Sequence, residues 1–241
     1  MTTESTTSGN PLVIAHRGAS AAAPENSVEA FRLAAVLGAD WIELDAHLSA
    51  DGQVVVTHDA HYANGVLVRS APADQRPDGV CLLDEALAVC DEAGLGINVE
   101  IKAIPGDPDA DTAEELTDTV LALLDARYGN DPIRRQSLMI TCFWPTTIDR
   151  VRAASDLATG WLSIDVTNPH EMVSRVRSQG HQAINPWDPL ITVALVEAAH
   201  DVGLAVNSWT VNDPDRMEQL ASWGVDGIIT DVPDVARSVL D

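Results

Sequence analysis

The 241-residue sequence predicts an α/β fold, a (β/α)8 TIM barrel, on three observations. Strand-like and helix-like runs alternate along the whole chain, the connections between them are short, and the strands number eight once one pair is read as a hairpin. An open doubly wound sheet is the alternative, but no GxGxxG follows the first strand to cradle a dinucleotide.

The strand-like runs are 12–18, 41–46, 53–59, 96–102, 137–143, 159–164, 182–187, 204–210 and 226–231. Runs 41–46 and 53–59 flank ADGQ (50–53), a tight-turn sequence, so they form a β-hairpin after strand 2 and leave eight parallel strands. Helical runs fall between most of them, at 27–38, 82–94, 111–129, 146–155, 169–180, 190–203 and 214–224. Ser27 is placed as an N-cap with Glu25 and Glu29 near the helix start, and glycines at 38, 94, 180, 203 and 224 close helices before the next strand. No proline- or serine-rich linker divides the chain. Residues 11–241 therefore read as a single domain behind a flexible N-terminal arm, 1–10, which has neither the basic start nor the apolar stretch of a secretory signal.

Composition excludes several roles. A hydrophobic share of 46% without a long uncharged apolar run argues against a membrane-spanning protein. Asp and Glu number 37 against 14 Lys and Arg, a net charge of −23 that repels nucleic acid and anionic lipid, so neither nucleic-acid binding nor stable membrane association is expected. Cys81, Cys90 and Cys142 form no CxxC and read as reduced, packed thiols of a cytoplasmic protein. A homo-oligomer is compatible with all of this.

The polar residues at strand ends carry the chemistry. Side chains on a strand alternate, so Glu43 and Asp45 point to one face, as do Glu100 and Lys102. In a closed parallel barrel, inward residues near the carboxyl ends of strands open on the catalytic mouth. Three acids converging there would repel one another and rise in pKa unless a cation sat among them. A hard divalent ion, Mg²⁺ or Ca²⁺, suits such oxygen ligands better than zinc. His16 ends the first strand, and His58 returns on the hairpin to the same mouth. Imidazoles titrate near neutral pH, which suits a general acid and a general base. Arg17 and Lys102, the sole lysine of the chain, supply local positive charge for an anionic ligand such as a phosphate.

HRG (16–18), PEN (24–26), ELD (43–45), HD (58–59), VEIK (99–102), WTVND (209–213) and GVDGIITDVPD (224–234) together resemble the glycerophosphodiester phosphodiesterase family, in order from about residue 12 to 235. The resemblance implies the barrel, metal ligands at Glu43, Asp45 and Glu100, His16 and His58 as the acid–base pair, and phosphate contacts from Arg17 and Lys102. It also places Asn26 and Trp209 near the substrate. The implied reaction is metal-dependent hydrolysis to glycerol 3-phosphate and an alcohol. The rivals are a phospholipase-D-like lyase on lysophospholipid or sphingomyelin and a non-catalytic barrel that binds a phosphorylated ligand. Residues 60–80 depart from the family pattern, and that stretch is expected to overhang the mouth. His47 and His61 read as peripheral.

Overall fold

The computed structural model describes residues 9–102, 106–110 and 113–241; of the arm expected over 1–10, residues 1–8 lie outside the described residues. The strands are β1 (Leu12–His16), β2 (Trp41–Leu48), β3 (Val54–Val56), β4 (Cys81–Leu82), β5 (Gly96–Ile101) and β6 (Leu138–Cys142), followed by β7 (Ala158–Ser163), β8 (Ala183–Pro186), β9 (Ala205–Ser208) and β10 (Gly227–Thr230). Eight of them, β1, β2 and β5 to β10, pair in parallel, and β1 meets both β2 and β10, which closes the (β/α)8 barrel. The hairpin expected after strand 2 is present: β3 pairs antiparallel with β2, and β4 adds antiparallel to β3.

The helices are α1 (Val28–Val36), α2 (Leu83–Ala93), α3 (Ala113–Tyr128), α4 (Pro132–Arg135), α5 (Pro145–Ala154), α6 (Pro169–Ser178), α7 (Val193–Asp201), α8 (Pro214–Ser222) and α9 (Pro233–Leu240). The last was not anticipated from the sequence. Its N-terminal Pro233 and inward Ala236 and Leu240 follow β10 closely, and they supply the eighth helix of the ring. The helix expected over 111–129 begins at Ala113 in the described residues.

β2 shows how the sequence makes both a core and a site. Ile42, Leu44, Ala46 and Leu48 join the apolar layer beneath the helices, packed with Phe31 of α1, Leu87 of α2 and Leu116 of α3. The alternate residues Glu43, Asp45 and His47 are thereby turned to the other face, and all three are buried. Glycine supports the same packing at Gly96, where a Cβ would stand 2.2 Å from the Trp41 ring.

No side chain of segment 60–80 lines the cavity at the mouth. Tyr62, Val68, Ala71 and Ala73 pack instead on Val55, the β3 residue whose side chain faces away from the main core, and this draws the segment to the outer side of the hairpin.

Ser27 caps α1 as expected, its Oγ accepting from the Ala30 N–H at 3.1 Å. Ser27→Ala should cost about 1 kcal/mol and lower the melting temperature by about 2–4 °C, read by thermal denaturation.

Candidate active site

Strand register assembles the mouth. His16 stands beside Glu43 across β1 and β2, and Asp45 stands beside Glu100 across β2 and β5. One carboxylate oxygen from each of Glu43, Asp45 and Glu100 lies within 4.8 Å of the others, and all three residues are buried. The three acids expected at one point in space are there.

Two cations approach this cluster. Lys102 Nζ lies 3.0 Å from Glu100 Oε1 and 3.4 Å from Asp45 Oδ1. Arg17 Nε lies 3.2 Å from Asp45 Oδ2, and the Arg17 backbone N–H donates to Glu43 Oε2 at 3.1 Å. That backbone bond follows from a left-handed turn: Arg17 has φ 58°, uncommon for a residue with a side chain. Asn26, also left-handed at φ 55°, is bonded to Asp45 twice: its Nδ2 donates to Asp45 Oδ2 at 2.8 Å, and its Oδ1 accepts the Asp45 N–H at 3.3 Å. The Asn26 amide thus orients a carboxylate.

Charge in the cluster is not balanced. Burial, reinforced by Asp45 and Glu100, pushes the Glu43 carboxyl well above the usual carboxylate range. Glu100 is raised as well, chiefly by burial. Burial would raise Asp45 too, but Lys102 and Arg17 outweigh it and the group is lowered. Lys102 is held protonated by Glu100 and Asp45 despite its burial.

The two histidines are held differently. His16 Nδ1 lies 2.7 Å from Asp231 Oδ1, which also accepts from Ser20 Oγ at 2.9 Å, while Asn212 Nδ2 donates to Asp231 Oδ2 at 2.6 Å. Burial alone would raise Asp231, yet the hydrogen bonds from His16 and Asn212 hold it at about 2. An ionised carboxylate accepts, so the hydrogen sits on His16 Nδ1, and Nε2 is left for the cavity that His16 lines. His58 Nδ1 lies 2.8 Å from Oδ1 of the exposed Asp59. Burial, with Lys102 nearby, lowers the His58 imidazole below its ordinary value.

His16, Arg17, Glu43, His58, Glu100 and Lys102 line one cavity of about 90 Å³. Its lining also includes Phe143 and Trp209, whose rings meet edge to face at 5.4 Å. Trp209 Nε1 donates to the Asn185 carbonyl at 2.7 Å, which fixes the indole against the cavity.

Two site features escaped the sequence reading. Asp231 lies 215 positions from His16, and only the β1–β10 seam, with Ala15 opposite Thr230, brings them together; the available signal was an acid at the carboxyl end of the last strand. His47 is not peripheral: it is fully enclosed and bonded to Asp109 and to the His58 backbone, because it continues the inward row of Glu43 and Asp45. His61 is exposed at the segment edge, in a β-bridge to Leu67.

Residues 16–235 match the model of the glycerophosphoryl diester phosphodiesterase family. The chain belongs to that family. A glycerophosphodiester phosphodiesterase from Caldanaerobacter subterraneus subsp. tengcongensis is 31% identical over 237 residues, covering 92% of this chain and 95% of that one. Among solved structures, an Oleispira antarctica phosphodiesterase in complex with the product sn-glycerol-3-phosphate superposes with a TM-score of 0.86 at 25% identity, covering 96% and 97% of the two chains. The Thermotoga maritima glycerophosphodiester phosphodiesterase gives 0.79 at 26% identity, covering 95% and 98%. The protein is therefore a phosphoric diester hydrolase of the glycerophosphodiester phosphodiesterase type, and its matched span runs from His16 to just beyond Asp231. No helix among the described residues is long and apolar enough to cross a membrane.

Because Glu43 is raised in the folded state, its ionised form costs stability at neutral pH, and that cost disappears as pH falls through its folded value. Glu43→Gln should therefore melt at a higher temperature than wild type in chelator at pH 7. It should also lose any rise in melting temperature that a divalent cation gives the wild type. Calorimetry with and without metal reads both.

Proposed function

We propose that this barrel mouth hydrolyses glycerophosphodiesters to glycerol 3-phosphate and an alcohol, using a divalent cation held by Glu43, Asp45 and Glu100, with His16 and His58 moving protons. The observation that carries the reading is three enclosed carboxylates within 4.8 Å of one another in a cavity shared with two histidines. The donor set fits a hard dication. It is all oxygen, its negative charge exceeds that of the nearby cations, and Glu100 Oε1 is buried without a hydrogen-bond partner, Lys102 being close but out of line. When bound, Mg²⁺ or Ca²⁺ would neutralise charge building on the phosphoryl oxygens.

The protein's own groups divide the remaining work. Arg17 and Lys102 bind phosphate oxygens, offsetting the −23 charge of the whole chain at one spot. His16, paired with the ionised Asp231, is suited to carry a proton and pass it to the leaving alcoholate through Nε2. His58, lowered by burial, is neutral at pH 7 and suited to take a proton from the attacking hydroxyl, whether of water or of the substrate glycerol. Phe143 and Trp209 form the face against which a glycerol backbone would rest. The product complex of the Oleispira antarctica relative supports glycerol 3-phosphate as the retained fragment. Three buried thiols, raised to about 11 or 12 by burial, fit a reducing, cytoplasmic setting.

The test is release of glycerol 3-phosphate from the choline, ethanolamine, glycerol and inositol diesters with Mg²⁺, Ca²⁺ or chelator. Metal-dependent release from at least one is expected; none from any would leave the lyase or the binding barrel. His58→Ala should slow turnover by about 10²–10⁴-fold. Since the neutral His58 is the active form and burial lowers its value, the acid limb of kcat/KM should lie at lower pH than an ordinary imidazole would give, read from the pH–rate profile.

A further inference from the structure

We propose that His47 and Asp109 position His58 for proton transfer, an inference that rests on the acid–base reading of His58 given above. The His58 ring has little to hold it. Its Nδ1 faces Asp59, which is 78% exposed, and an exposed pair of this kind fixes a side chain weakly. His16, by contrast, leans on a carboxylate that is itself held by Ser20 and Asn212. The placement of His58 therefore depends on its backbone.

That backbone lies just beyond the end of β3. The last ladder-like bond on this side is Thr57 N–H to the Asp45 carbonyl, at 3.1 Å. One residue further along, no strand remains to pair with, and a side chain takes over. His47 Nε2 donates to the His58 carbonyl at 3.2 Å. On the other edge of the same ring, Nδ1 lies 2.6 Å from Asp109 Oδ2, and both residues are 1% exposed. A carbonyl oxygen can only accept, so Nε2 carries a hydrogen; Nδ1 then faces a carboxylate, and one hydrogen lies between the two enclosed side chains.

His47 thus ties three pieces of chain. It belongs to β2, two residues past Asp45 on the same face; it holds the hairpin at His58; and it anchors Asp109, in the connection that leads from Lys102 to α3. Enclosed charge-assisted bonds of this sort are rigid because any displacement leaves a buried partner unpaired. They set the distance between the imidazole of His58 and the groups just past β1 and β5, Arg17 and Lys102, that would bind the phosphate. A shift of about 1 Å at such a centre can cost on the order of a hundredfold in rate.

The alternative is a pair that merely stabilises the loop, and a double-mutant cycle separates the two. His47→Gln and Asp109→Asn are measured for kcat and KM on a glycerophosphodiester, each alone and with His58→Ala, under single-turnover conditions with enzyme in excess where rates are low. If the pair acts through His58, each variant lowers kcat by about tenfold to a hundredfold and changes KM by less than about threefold, because Arg17, Lys102 and the carboxylates remain. In the His58→Ala background the same changes then cost less than about twofold, there being no imidazole left to misplace. An equal loss in both backgrounds, a loss confined to KM, or an undiminished kcat overturns the proposal. Asp109→Asn, nearly the size of the native residue, carries the cycle by itself if His47→Gln does not fold. A His58→Ala enzyme that turns over at the wild-type rate refutes the acid–base reading of His58, a separate and recognisable outcome.

Discussion

Three carboxylates enclosed within a few ångströms of one another cannot all be ionised in a protein interior unless positive charge is brought among them. Most of the local structure around the barrel mouth answers that constraint. The chain turns left-handed at Arg17, so that a backbone N–H reaches Glu43 while the guanidinium reaches Asp45. It turns left-handed again at Asn26, whose amide grips Asp45 from both sides. Even so, Glu43 remains well above its usual range and Glu100 is raised. The residual imbalance is the physical case for a dication at this point.

The sole lysine makes sense in the same terms. Elsewhere the chain uses arginine, whose planar fork serves surface partners such as Asp91, Asp118 and Asp188. At position 102 the cation must come close to both Glu100 and Asp45 inside a narrow, buried space. A compact ammonium on a flexible stem can approach two carboxylates at once, whereas a guanidinium would demand room for a plane.

The two histidines divide the molecule's long-range architecture between them. His16 is oriented across the seam where the first and last strands meet, so closure of the barrel and orientation of that imidazole are one event. His58 is carried by the hairpin, an addition outside the eight-stranded ring, and it reaches the mouth on backbone held by β2. The floor of the cavity is set by strand register, while one of its two histidines rides on an appended element.

Much of this was legible before any fold was in hand, because it depends on short-range periodicity. Alternation between period 2 and period 3.6 marked nine of the ten strands among the described residues and seven of the helices, and the ADGQ turn separated the hairpin from the ring. Spacing of i and i+2 put Glu43 with Asp45, and Glu100 with Lys102, on common faces; ordered motifs from HRG to GVDGIITDVPD pointed to the family. What the sequence could not determine was anything that depends on closure or enclosure. Asp231 meets His16 only when residues 215 apart become neighbours, and His47 looked peripheral because a strand's alternation says which face a residue takes but not what covers it. The shifts of Glu43, His58 and Asp231 likewise arise from burial and from partners on other strands, so they belong to the tertiary structure alone.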